Sequence, residues 1–257
     1  MNSSTRVAIV TGGAQGIGFA FAKALVKADY SVVIGDLSGA EEAAERLRAE
    51  GFHSIGVTAD VSSSSDVAAM TEQAVRRFGG VDVLVNNAAL FTSIKPKSFE
   101  QIDEEEWMRV MRVNTLGPFQ CAKAVTPHMR KRGGGRIINV ASTSVIRGTP
   151  MLLHYVSSKG AVVGFTRSLA RELGDDNITV NAISPGFTLS DGVIETGLDQ
   201  KMGQAASTSI MAARAARSLK RDQTPSDLVG TVVFLASDGA SFITGQTIAV
   251  DGGTVFL

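Results

Sequence analysis

The sequence predicts an α/β protein: a single domain on a doubly wound parallel sheet, with helices on both faces. Two observations carry this. Short β-branched runs alternate with longer stretches of helical periodicity along the whole chain. The runs are near-continuously apolar rather than alternating, as strands covered on both faces are. The 257 residues suit one such domain, and no linker, repeat or low-complexity block divides them.

Each element follows in order. Arg6–Thr11 (RVAIVT) is a buried strand bounded by glycines, and Ile17–Ala28 carries apolar residues at helical spacing. Ser31–Gly35 is the second strand, followed by the Ala-, Glu- and Arg-rich helix Ala40–Glu50. Ser54–Ala59 is a strand, Asp66–Phe78 a helix and Val81–Val85 the fourth strand. Glu104–Met129 reads as mostly helical, with Pro118 as the expected kink. Strand Arg136–Val140, the long helix His154–Leu173 and strand Thr179–Ile183 come next. Leu228–Ala236 is a helix and Thr247–Val250 the last strand. Residues 188–222 mix Gly, Ser, Met, Ala and basic residues and break the rhythm. An irregular insertion of this length is expected to be a substrate loop or lid.

Composition narrows the function. Lys plus Arg and Asp plus Glu both number 25, so the chain lacks the basic excess that a nucleic-acid partner demands. Cys121 is the single cysteine, which excludes an intrachain disulfide and a cysteine-rich zinc site. His53, His128 and His154 are scattered, and no metal is expected. The first residues lack the apolar core of a signal peptide, and no apolar run reaches ~18 residues. A soluble cytoplasmic protein is the expectation.

The first strand runs into Thr11-Gly12-Gly13-Ala14-Gln15-Gly16-Ile17-Gly18 and then a helix. Glycines there let backbone approach a pyrophosphate, whose charge the helix N-terminus favours. This is a variant of the Rossmann-type dinucleotide fingerprint. Asp36 ends the second strand, where a carboxylate accepts both ribose hydroxyls of an adenosine and repels a 2′-phosphate. Leu37 and Ser38 supply no cation for such a phosphate, so NAD is expected over NADP. Asp60-Val61, after the third strand, is placed to receive the adenine.

Tyr155 and Lys159 are four apart on a predicted helix and share a face. A nearby ammonium favours phenolate, bringing a tyrosine closer to use as a base. Ser142 follows the fifth strand at the same sheet edge and can orient a substrate oxygen.

These pieces together resemble the short-chain dehydrogenase/reductase family over essentially the whole chain. The matching segments are TGGAQGIG at 11–18, Asp60-Val61, Asn86-Asn87-Ala88-Ala89, Asn114, Ser142, Tyr155-Val156-Ser157-Ser158-Lys159, Pro185-Gly186 and GQTIAVDGG at 245–253. The resemblance implies that Tyr155 is the general acid/base, that Lys159 holds the nicotinamide ribose and tunes Tyr155, and that Ser142 orients the reacting oxygen. It implies a water-linked proton relay through Asn114, and Asn87 near the cofactor ribose. The segment after Pro185-Gly186 would meet the carboxamide, by backbone at Thr188 and by a hydroxyl at Ser190. Two departures are Ala89, where the family commonly has glycine, and Ser190, where threonine is usual. The resemblance also implies a homotetramer.

Phe91, Ser144, Val145, Leu153, Phe187 and the 189–215 loop, with Met202 and Met211 as fillers, are the expected substrate pocket. No arginine stands out as a clamp for an anion, so a neutral, fairly hydrophobic secondary alcohol or ketone is expected. HYVSSKGAVVGFTRSLA and SFITGQTIAVDGG look most like members such as 1-phenylethanol dehydrogenases. An oxoacyl or sugar/polyol oxidoreductase is the alternative within the family, and a non-catalytic NAD-sensing protein the alternative outside catalysis. Arg130-Lys131-Arg132 reads as a solvated helix end. It could alternatively dock an acidic carrier, which Glu172, Asp175 and Asp176 would repel.

Overall fold

A computed structural model describes residues 5–190, 193 and 211–256. Seven strands, β1 (Arg6–Thr11), β2 (Tyr30–Asp36), β3 (Ser54–Thr58), β4 (Val83–Asn86), β5 (Gly135–Val140), β6 (Ile178–Pro185) and β7 (Thr247–Val250), form one sheet ordered β3-β2-β1-β4-β5-β6-β7. Every pairing is parallel. After β3 the chain crosses back to place β4 beside β1, and this reversal of strand order opens a crevice at the carboxyl ends of β1 and β4.

The helices are α1 (Gly16–Lys27), α2 (Ala40–Ala49), α3 (Ser64–Phe78), α4 (Glu104–Met111), α5 (Gly117–Lys131), α6 (Ser144–Arg147), α7 (Leu153–Glu172) and α8 (Ser226–Ala236). Their placement explains the apolar strands. Ala8, Val10, Val32, Ile34, Val83 and Val85 pack with α1, α2 and α8 on one face. The intervening Ile9, Val33 and Leu84 pack with α3, α5 and α7 on the other. With period two and both faces covered, every position must be apolar.

Local chemistry sets the helix ends. The Ser63 hydroxyl accepts from Asp66 N to start α3, and Gly79 in the left-handed region (φ 86°) ends it. Asp103 accepts from Glu106 N at 2.8 Å to start α4. Pro118 is the second residue of α5, and the backbone runs helically into it from α4 without a break. The irregularity comes just before it, as a π-helical turn over Arg112–Leu116 that joins α4 to α5. Among the described residues no helix is long and apolar enough to cross a membrane.

Candidate active site

The glycine loop is closed by contacts that leave no room for side chains. Gly12 and Gly16 have φ of +61° and +55°, the region glycine favours. A Cβ on Gly18 would lie 1.9 Å from Gly12 O and 2.5 Å from Asn87 Nδ2. Asn87 Nδ2 donates to Thr11 O (3.1 Å) and Gly12 O (2.9 Å), stitching the loop to the end of β4. The Asn87 amide is thus engaged in holding the loop, although the residue also lines the cavity. Asp36 ties the loop to β2: one carboxylate oxygen accepts from Ala14 N at 3.0 Å, the other from Leu37 N at 2.8 Å. Both oxygens keep lone pairs for further donors.

A cavity of about 430 Å³ runs from this loop across the carboxyl edge of the sheet. Gly12, Gln15, Gly16, Ile17, Gly18, Asp36, Asp60, Val61 and Asn87 line its first part. Ser142, Tyr155, Lys159, Pro185, Gly186, Thr188 and Ser190 line the rest. Every residue expected to meet the cofactor therefore lines this one cavity. A backbone cradle with no space for Cβ atoms, a free-ended carboxylate at the end of β2 and a deep adjoining cavity fit a dinucleotide.

Tyr155 and Lys159 are both buried. Burial pushes the Tyr155 phenol up to about 12, and the hydrogen bond from Ser142 offsets part of that rise. Ser142 Oγ is oriented by Ser144 N, which donates to it at 3.2 Å. Lys159 Nζ donates to Val140 O at 2.7 Å and lies 5.9 Å from the Tyr155 ring centre. Desolvation dominates the phenol, and Lys159 is not among the groups that shift it. The Phe91 ring leans on Tyr155, with centres 4.9 Å apart.

Burial also pulls the Lys159 ammonium down to about 8 from its ordinary 10.5. The fold disfavours the charged form, so the lysine destabilises the protein fully below about pH 8 and not at all above 10.5. Lys159→Met is expected to raise the unfolding free energy near neutrality by roughly 1–3 kcal/mol. The gain should disappear in alkaline urea melts. A variant less stable than the parent near neutrality would mean that the bond to Val140 O outweighs burial.

Asn114 is delivered by the π turn. Its Nδ2 donates to Ser158 Oγ (3.0 Å) and Leu90 O (3.2 Å), and its Oδ1 accepts from Leu90 N at 2.8 Å. Ser158 Oγ in turn donates to Tyr155 O at 2.7 Å. Asn114 so ties the loop after β4 to the helix of Tyr155 and Lys159. Beyond β6, Thr188 bridges to Gln223, and Leu189 N donates to Gln223 O at 2.8 Å. Ser190 sits against Gly16, where a built Cβ would meet its Cβ at 3.4 Å.

Of the expected pocket residues, Phe91, Ser144 and Phe187 line the cavity, and Val145 and Leu153 do not. Leu152, Tyr155, Val156 and Phe91 pack together, and Leu153, turned about 100° around the helix, is exposed. Val145 points at Gly160 of α7 instead. His154, whose neighbour is Tyr155, faces away from the cavity. It is fully buried, with Nε2 3.2 Å from Glu106 Oε1, and Glu106 also pairs with Lys97. Within the expected lid, Met202 lies outside the described residues, and Met211 is exposed. Cys121 is buried, and burial pushes its thiol up to about 12, as suits a structural thiol. Leu90, Thr92, Arg147, Thr149 and Leu152 line the cavity without having been expected there. Arg147 is carried by a four-residue helix, too short for periodicity to reveal.

The comparisons agree with this geometry. The family described as enoyl-(acyl carrier protein) reductase matches residues 12–255. The 3-oxoacyl-[acyl-carrier-protein] reductase FabG of Staphylococcus aureus is 38% identical over 252 residues, covering 97% of this chain and 98% of that protein. The short-chain reductase protein NovJ of Streptomyces niveus is 37% identical over 253 residues, covering 98% and 94%. A crystal structure of a protein assigned as a short-chain alcohol dehydrogenase from Sinorhizobium meliloti 1021 superposes with a TM-score of 0.88 at 32% identity, covering 98% of this chain and 96% of that one. The seven-stranded parallel sheet and these matches make the chain a member of the short-chain dehydrogenase/reductase family of nicotinamide-dependent oxidoreductases.

Proposed function

We propose that the protein interconverts a secondary alcohol and a ketone with NAD(H), using Tyr155 as general acid/base. The observation that carries this is the grouping of partly buried Ser142 with buried Tyr155 and Lys159 along the same cavity as the glycine loop and Asp36. When bound, the nicotinamide supplies or accepts the hydride. Gly12, Gln15, Gly16, Ile17 and Gly18 would hold the pyrophosphate, Asp36 the adenosine ribose, and Asp60 and Val61 the adenine. Lys159 and Asn87 would face the nicotinamide ribose, and Pro185, Gly186, Thr188 and Ser190 the carboxamide. Ser142 holds the reacting oxygen, and Tyr155 moves the proton at that oxygen. Burial keeps the phenol protonated near neutrality, which suits donation to a carbonyl during reduction. Asn114 positions the Lys159 helix through Ser158.

NAD over NADP rests on charge. Among the described residues lining the cavity, the cations are Arg147 and Lys159, both carried beyond β5 and three strands from the end of β2. Asp36, Leu37 and Asp60 line the adenosine end, which offers a 2′-phosphate nothing but repulsion. The test is the near-ultraviolet absorbance of reduced nicotinamide, with NAD or NADP, across secondary alcohols, cyclic alcohols, polyols and 3-oxoacyl thioesters. Asp36→Ala is expected to cut kcat/KM for NAD about ten- to hundredfold while raising that for NADP. An NADP preference in the parent protein would sink the assignment of Asp36. No turnover with intact NAD binding would favour a nucleotide sensor, against which Ser142, Tyr155 and Lys159 stand.

The names of its relatives favour a second reading, reduction of a 3-oxoacyl group on a carrier protein. The basic run at 130–132 does not support a docking site for an acidic carrier. Arg130 pairs with Asp176 at 2.8 Å, and Arg132 makes two 2.9 Å bonds to Asp82. The run ends α5 at the surface, with Arg130 and Lys131 exposed, as a solvated helix end does. A homotetramer would cover exposed Met108, Leu116 and Phe119 on one side and Phe242 and Phe256 on another, which sedimentation would test.

A further inference from the structure

The substrate half of the cavity is walled by apolar groups, Leu90, Phe91, Leu152 and Phe187 among them. Two features do not fit an entirely apolar substrate. Arg147 lines this cavity, is exposed, and makes no side-chain ion pair or hydrogen bond with the described residues. Ser144, on the same short helix, lines it too, and its Oγ is buried without a hydrogen-bond partner. A buried hydroxyl left unpaired is costly, and a guanidinium beside an apolar wall is suited to an anion with two or more acceptor oxygens. Both groups stand away from the adenosine end of the cavity. The glycine loop follows β1 and Asp36 ends β2, whereas Ser144 and Arg147 follow β5, on the far side of β4. Both stand on the chain between Ser142 and Tyr155, the side where the reacting carbon must lie.

We infer that Arg147, with Ser144, binds an anionic group at the far end of the substrate, so that the preferred substrate is an oxo or hydroxy compound with an apolar body and an acidic terminus. This rests on the reaction proposed above and replaces the expectation of a neutral substrate, which depended on finding no such arginine. The anion could be a carboxylate of a hydroxy acid or a phosphate of a coenzyme A thioester.

The experiment measures binding, not only turnover. Tyr155→Phe protein loaded with NADH is titrated, by nicotinamide fluorescence, with oxo acids from 3-oxobutanoate to 5-oxohexanoate and with their methyl esters. Acetoacetyl-coenzyme A and the uncharged acetoacetyl N-acetylcysteamine thioester form the second arm. An acid is expected to bind about tenfold or more tightly than its ester, as a charge-assisted hydrogen bond provides. In the double variant carrying Arg147→Met the ratio should fall to about one, and Arg147→Lys should restore part of it. A preference confined to the coenzyme A arm, and lost with Arg147→Met, supports the same site and names phosphate as the anion. Equal binding of charged and uncharged members in both arms, or a preference that survives Arg147→Met, overturns the inference. So does binding of neither class to the NADH-loaded protein. Failure to take up NADH at all instead strikes at the underlying oxidoreductase reading, and carboxylate protection in thermal melts, compared between parent and Arg147→Met, then decides the arginine's role separately.

Discussion

Tyr155→Phe is expected to lower kcat by about a thousandfold, within the range that a positioned acid/base contributes. The dissociation constant for the cofactor should stay within about threefold, since the ring and its packing on Phe91 remain. The reasoning is local. The phenol is buried, its hydrogen bond comes from Ser142, and the only other described titratable side chains lining that part of the cavity are Lys159 and Arg147, both cations. Lys159 Nζ is held on Val140 O, 5.9 Å from the Tyr155 ring centre. Because burial raises the phenol to about 12, reduction should be favoured at neutral pH, and alcohol oxidation should gain as pH rises towards the ionisation of the phenol. Stopped-flow and steady-state rates on the parent and the Tyr155→Phe protein check this. Residual turnover above about a tenth of the parent rate would remove Tyr155 from the proton step.

Gly18→Ala is expected to weaken cofactor binding by more than about tenfold and to destabilise the fold by roughly 1–3 kcal/mol. The added methyl carbon would lie 1.9 Å from the Gly12 carbonyl oxygen, a backbone atom, so the loop itself must move. Moving it breaks the Asn87 bonds to Thr11 O and Gly12 O and draws Ala14 N away from Asp36. Gly230→Ala supplies the contrast. Gly230 lies within α8, and a Cβ there meets nothing within 4 Å, so alanine should stabilise by about 0.5–1 kcal/mol. Calorimetry with and without cofactor separates the two. Equal behaviour of the two alanine variants would mean that the loop tolerates a side chain.

Strands and long helices were legible because they obey one-dimensional rules. Val7–Val10 and Val32–Ile34 read as buried strands since parallel pairing with both faces covered demands an apolar residue at every position. Tyr155 and Lys159 could be placed on one face because a four-residue spacing fixes that relation in any helix. The glycine loop was legible because two of its residues need positive φ and a third admits no Cβ.

The remainder depended on three-dimensional packing. Leu152 rather than Leu153 reaches the cavity because the start of α7, one residue one way or the other, decides which side turns inward. The π turn that swings Asn114 onto Ser158 has no periodic signature. The burial of His154 against Glu106, which also pairs with Lys97, is set by how α4 packs on α7.

By itself the sequence determined the sheet class, the dinucleotide loop and the spacing of Ser142, Tyr155 and Lys159, since each follows from backbone geometry and short-range period. The tertiary structure alone decided which charges are spent and which are free. Arg130 and Arg132, two apart in a basic run, pair with Asp176 and Asp82, 46 and 50 residues away, while Arg147, beside the substrate cavity, pairs with no described side chain. Ion pairing depends on distances between elements far apart in the chain, and no local pattern encodes them.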